Sequence, residues 1–98
     1  MMTKDEIINI LSTQLPFIQK QFYVKEIGVF GSFVKQEYSE ESDIDVLVEL
    51  DNRHNDLFNF IRLKDYLEEL FHKEVDLVMK GAIKPRIKDK ILKEAIYV

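Results

Sequence analysis

The stretch 27–50, IGVFGSFVKQEYSEESDIDVLVEL, constrains this chain more than any other. An apolar run closes at Phe30, and Gly31-Ser32 follows. Ten residues then separate Ser32 from Asp43-Ile44-Asp45, which opens a second apolar run. Short apolar runs bounded by turn residues read as strands. On a strand, side chains two apart share a face. Asp43 and Asp45 therefore project together, and Ile44, Val46, Val48 and Leu50 project the other way. Two carboxylates on one face, near a glycine turn, suit a divalent cation with a phosphate beside it.

The flanking sequence supplies helices. Thr3 and Glu6 make a Thr-x-x-Glu capping box. Ile7, Leu11, Leu15, Ile18 and Phe22 then recur at helical spacing. Pro16 predicts a kink, or two short helices, near residues 14–16, because proline removes a helical hydrogen bond. Residues 24–30 read as the first strand, 33–37 as one helical turn, 38–42 as a polar loop and 43–50 as the second strand. After a loop at 51–55, Asn55 or Asp56 caps a long helix. Its predicted core stripe is Leu57, Phe60, Ile61, the stem of Lys64, Leu67, Leu70 and Phe71. Residues 74–79 read as a third strand and Gly81 as a break. Pro85 suits the first turn of a last helix with the stripe Ile87, Ile91 and Ala95.

This order gives an α/β (α+β) layer structure: a small mixed sheet of about three strands with helices on one face. The second strand carries Asp43, Asp45, Leu47 and Glu49 on one face. The third carries Glu74, Asp76, Val78 and Lys80. The opposite faces are apolar, so helices covering that side alone would leave the carboxylates open to a ligand.

Composition narrows the function classes. The 98 residues are expected to form one domain. The net charge of −4 lacks the basic footprint of a protein that grips a nucleic-acid backbone. No run approaches a membrane span, and the N-terminus lacks the layout of a secretory signal. With no cysteine, disulfides and thiolate metal sites are excluded. A cytoplasmic location is the expectation. A calcium-loop reading of Asp43-x-Asp45 fails, because Leu47 and Val48 stand where further polar ligands and a glycine would be needed.

The pattern Gly31-Ser32, ten residues, Asp43-x-Asp45 resembles the signature of the DNA polymerase beta-like nucleotidyltransferase superfamily. The chain's size and its closing ILKEAIYV look like the minimal nucleotidyltransferases, the MNT proteins, and the resemblance covers nearly the whole chain. It implies transfer of AMP from ATP, with magnesium as two ions, to a protein hydroxyl. It implies that Asp43, Asp45 and Asp76 are catalytic and hold metal, and that Gly31, Ser32 and Lys35 bind the nucleotide. Related chains often read Arg-Ala-Arg-Gly after the Gly-Ser pair; Phe33-Val34-Lys35-Gln36 stand here instead. Lysine keeps the charge of an arginine but not its bidentate geometry. The implied partner is a HEPN-domain toxin, with one of its tyrosines as acceptor. The chain would then be the antitoxin of a type VII-like toxin–antitoxin pair. Two alternatives stand beside this: an antitoxin that neutralises its partner by binding alone, and a small-molecule nucleotidyltransferase.

Overall fold

The computed structural model describes residues 2–98. In chain order it runs α1 (Lys4–Phe22), β1 (Val24–Phe30), α2 (Ser32–Lys35), β2 (Ile44–Leu50), α3 (Leu57–Phe71), β3 (Val75–Met79), α4 (Pro85–Glu94) and β4 (Ile96–Tyr97). Short 3-10 turns lie at Asn52–His54 and Lys80–Ala82. The strands form one mixed sheet in the order β3-β2-β1-β4. β2 and β3 are parallel, joined through α3, and the other pairings are antiparallel.

Helices α1 and α3 cover one face. Ile7, Leu11, Ile18 and Phe22 of α1 and Leu63, Leu67 and Phe71 of α3 are buried with Ile27, Val29, Ile44, Val46, Val48, Val75 and Leu77 of the sheet. Such a cluster is the main stabilising element, because buried apolar area contributes about 25 cal/mol per Å². Thr3 caps α1 by accepting from the Glu6 N–H at 3.2 Å, as its capping box predicts. Asp56 caps α3 by accepting from the Asn59 N–H at 2.8 Å.

Ile87 of the predicted last stripe is exposed, and four larger details differ from the sequence expectation. First, α1 passes through Pro16 as one helix rather than two short ones. Packing on both sides of the proline, at Leu11 and Ile18, holds the helix together across the missing hydrogen bond. Second, the α3 stripe is rotated. Leu57 and Ile61 are exposed, and Asn59 and Leu63 are buried in their place. Asn59 donates through Nδ2 to the Phe22 carbonyl at 2.7 Å and to the His54 carbonyl at 3.1 Å, which turns that face inward. Third, a fourth strand pairs Tyr97 with Gly28 and Ile96 with Val29. A side chain at Gly28 would meet the Ile96 carbonyl at 2.9 Å, so glycine lets β4 approach. Fourth, the second sheet face is not fully open. Phe30, Leu47 and Ile83 are buried there, with Ile91, Leu92 and Ala95 packed around them, so α4 and its flanks cover part of it.

β1 contains a bulge. Val24 pairs with Leu50 and Glu26 with Glu49, so the residue between them has no partner. The bulge shifts the alternation by one residue. Val24, Ile27 and Val29 all reach the main core, and Phe30 lies on the opposite face with Leu47. No helix is long and apolar enough to cross a membrane, among the described residues.

Candidate active site

The sheet brings the three predicted carboxylates to one end of the β2–β3 pair. Asp45 sits in β2 and Asp76 in β3, and they are direct partners in the parallel ladder. Residues opposed in a ladder put their side chains on the same face. Asp43 lies one residue before β2, where the Ile44 N–H donates to the Glu74 carbonyl at 3.1 Å and fixes the strand's start. Asp43 and Asp76 are exposed, and Asp45 is half-buried. Asp43 and Asp76 line a polar hollow of about 660 Å³ together with Lys64, Glu68, His72 and Lys73.

Crowding shows in the charge of Asp45. Burial pushes its carboxyl up to about 6, and the Asp76 and Asp43 charges push the same way; the Ser32 N–H opposes them. A cation at this end would relieve the repulsion. Among the described residues, no group of three or more His, Cys, Asp or Glu is arranged to hold a metal ion. The donors at this end are all carboxylate oxygens. Magnesium takes one or two such groups and completes its shell with water and phosphate oxygens.

Gly31-Ser32 joins β1 to α2 and lies directly against Asp45. Gly31 has φ +74. A Cβ there would overlap the Asp45 carboxylate oxygen and stand 2.8 Å from its Cγ. Glycine is thus required here both by the backbone angle and by the approach of Asp45. Ser32 opens α2, and the Lys35 N–H donates back to the Gly31 carbonyl at 3.0 Å. The Lys35 side chain points to the same quarter, its Nζ 3.6 Å from Glu94 Oε2.

Sequence reasoning missed Glu94. Its Oε1 accepts from the Gly31 N–H at 2.7 Å, across 63 positions of chain. A signal was present. Glu94 closes α4, and a helix C-terminus favours cations over anions. An acid placed there implies a partner elsewhere in the fold.

A family model described as a nucleotidyltransferase domain matches residues 6–98. The chain belongs to this nucleotidyltransferase family. It is 44% identical over 98 residues to a protein of Thermococcus cleftensis named protein adenylyltransferase MntA, covering 100% of this chain and 98% of that one. A solved structure described as a minimal nucleotidyltransferase superposes with a TM-score of 0.83 at 30% identity, covering 97% of this chain and 95% of the other. The MNT antitoxin fold recurs more distantly. A structure of a tri-AMPylated Shewanella oneidensis HEPN toxin in complex with its MNT antitoxin matches with a TM-score of 0.58 at 20% identity, over 96% of this chain and 66% of that chain. The chain is thus a minimal nucleotidyltransferase, and its four-stranded mixed sheet with flanking helices is the fold of that group.

Proposed function

We propose that this nucleotidyltransferase moves AMP from ATP to a hydroxyl of a partner protein. The partner is a HEPN-type toxin and the acceptor its tyrosine, which makes the chain the antitoxin of a type VII-like pair. Residues 1–98 act as one catalytic domain, in the cytoplasm. The observation that carries the reading is the Asp45–Asp76 rung standing against the Gly31-Ser32 turn. The adenylyltransferase name of the Thermococcus relative and the AMPylated toxin in the Shewanella complex support the choice of group and partner.

The strand order supports these roles. β2 lies between β1 and β3. The Gly31-Ser32 turn follows β1 and Asp76 is on β3, so they flank Asp45 from opposite sides. Phosphates held at Gly31, Ser32 and Lys35 would leave on one side, and an acceptor hydroxyl beside Asp76 would enter on the other. Such an arrangement would suit the in-line displacement that phosphorus needs. The bond from the acceptor oxygen to the α-phosphorus forms as the bond to pyrophosphate breaks. Asp76 takes the hydroxyl proton, reaching it directly or through one water. β3 is an edge strand, and Asp76 is exposed on it, so a protein side chain can approach.

The carboxylates of Asp43, Asp45 and Asp76 would hold magnesium. The ion supplies charge cancellation on the triphosphate and polarises the reacting oxygens. Mutual crowding of these groups, expressed in the raised Asp45 carboxyl, fits a place made for a cation.

The test is incubation of the chain with α-labelled ATP, magnesium and a HEPN protein encoded beside it. Label should appear on the HEPN protein, at a tyrosine mapped by mass spectrometry, and Asp45→Asn should abolish it. An unlabelled toxin that is still neutralised, equally well by Asp45→Asn, would establish the binding-only antitoxin instead.

A further inference from the structure

Glu94 occupies the ground that a phosphate would need. Its two oxygens are spent on two groups of the proposed phosphate cradle: Oε1 on the Gly31 N–H at 2.7 Å and Oε2 3.6 Å from Lys35 Nζ. The side chain is only 17% exposed, so water competes weakly for it. A carboxylate offers the same negative, hydrogen-bond-accepting oxygens as a phosphate edge. Glu94 also stands at the end of the last helix. That helix, α4, has no fully buried residue, and the two-residue strand β4 follows it. Besides the β1–β4 ladder, two hydrogen bonds fix this tail: the Ala95 N–H to the Ile91 carbonyl at 3.0 Å, and the Val98 N–H to the Ile27 carbonyl at 3.1 Å.

We propose that Glu94 is a built-in competitor for the nucleotide's phosphates, so that triphosphate binding displaces it and loosens the 94–98 tail from β1. This inference rests on the reading of Gly31, Ser32 and Lys35 as the phosphate cradle. It adds a closed state in which the chain fills its own cradle. Nucleotide then binds only the fraction of molecules with Glu94 released, and its apparent affinity is lowered by that fraction. The tail becomes a reporter of nucleotide occupancy, because the same side chain cannot hold Gly31 and yield it to a phosphate. A partner that contacts the tail would sense whether ATP is bound.

Two variants separate competition from support. Glu94→Gln keeps the shape and an acceptor oxygen but loses the charge; Glu94→Ala removes both. Binding of magnesium-ATP to the full chain is measured by titration calorimetry, with inorganic tripolyphosphate as a base-free probe. Competition makes both variants bind both probes roughly three- to tenfold more tightly than wild type. It also makes the amides of Ala95 and Val98 exchange faster in wild type when magnesium-ATP is added. Unchanged or weaker binding in either variant, or slower exchange of those amides, overturns the proposal and leaves Glu94 as a fixed brace of the Gly31 turn. Absence of magnesium-ATP binding in wild type and both variants instead overturns the nucleotide reading itself.

Discussion

Asp45 and Asp76 share one rung of the parallel β2–β3 ladder, so their carboxyl groups stand side by side on the face away from α1 and α3. Their environments nevertheless differ. Asp45 is half-buried beneath the Gly31-Ser32 turn, and Asp76 is exposed on the edge strand. The difference separates two expected outcomes. Asp76→Asn should reduce transfer by about 10²–10⁴-fold, the usual contribution of a general base, and leave magnesium-ATP binding within a few-fold of wild type. Asp45→Asn should lose both. Calorimetric binding and a transfer assay on each variant check this; an Asp76→Asn chain with full activity removes Asp76 from the chemistry.

Stability should carry a pH signature of Asp45. Its folded carboxyl titrates near 6, above the ordinary 3.8, so the folded chain holds its proton more tightly than the unfolded chain does. The unfolded state then binds fewer protons between about pH 4 and 6, and stability falls as pH rises through that window. In chelator, Asp45→Asn should match wild type below pH 4 and exceed it above pH 6. The expected gain is on the order of 1 kcal/mol, once solvent screening of this half-exposed group is allowed for. Magnesium should narrow the gap. Urea melts at pH 4.5 and 7.5, with and without magnesium, measure it.

Gly31→Ala tests the closeness of the turn to the carboxylate. The new methyl group would overlap Asp45 and hold a φ of +74 that side chains rarely adopt. The expected cost is about 1–3 kcal/mol of stability, with transfer lost because Asp45 must move. Thermal melting and the transfer assay should fall together, and a variant that kept both would mean the turn relaxes freely.

Asn59 ties α3 to the end of α1 and to the turn after β2. Its Nδ2 satisfies the carbonyls of Phe22 and His54 from a site that is 4% exposed. Asn59→Ala should cost roughly 1–3 kcal/mol, the penalty of leaving buried acceptors unpaired. Asn59→Asp should cost more, because it sets a carboxylate against two carbonyl oxygens. Chemical denaturation orders the three proteins; an Asp variant as stable as wild type would show the latch to be idle.

Pro16 is exposed and interrupts the hydrogen bonding of an otherwise continuous helix. Pro16→Ala restores one backbone bond and removes the proline's strain, together worth about 3 kcal/mol. It also frees the unfolded chain, at a cost of about 0.4–1 kcal/mol. The net expectation is a stabilisation of about 2 kcal/mol with transfer unchanged. A drop in melting temperature would show that the proline has a packing role.

Alternation made the sheet legible in the sequence. The Asp43-x-Asp45 spacing, the apolar residues between and beyond, and the Val75-Asp76-Leu77 triplet predict which side each side chain takes, because period two leaves no third choice. β1 emerged with its observed limits because its apolar run closes at Phe30, before the Gly31-Ser32 turn. The helices were less legible. Fifteen residues of α3 offer Leu57, Phe60 and Ile61 as readily as Leu63 and Leu67, and the phase is decided by Asn59, whose partners lie on other elements. The fourth strand was out of reach, since two residues carry no period. Glu94 was missed because its partner Gly31 is 63 positions away. Pro16 did not split α1 in two, because the propensity rule describes a lone helix and tertiary packing acts on both flanks.

The bulge in β1 divides that strand into two zones with different tolerance. On the Val24 side, the unpaired residue already absorbs a mismatch of one, so a single insertion or deletion can be taken up by reshaping the bulge. On the far side there is no slack. Ile27 to Phe30 pair residue for residue with β2, and Phe30 is opposite Asp45. A frame error of one position there would turn Phe30 into the helix-covered core and pull Gly31 off the carboxylate it must clear. Drift in length along this family should therefore collect before Glu26 and be barred from there to Ser32.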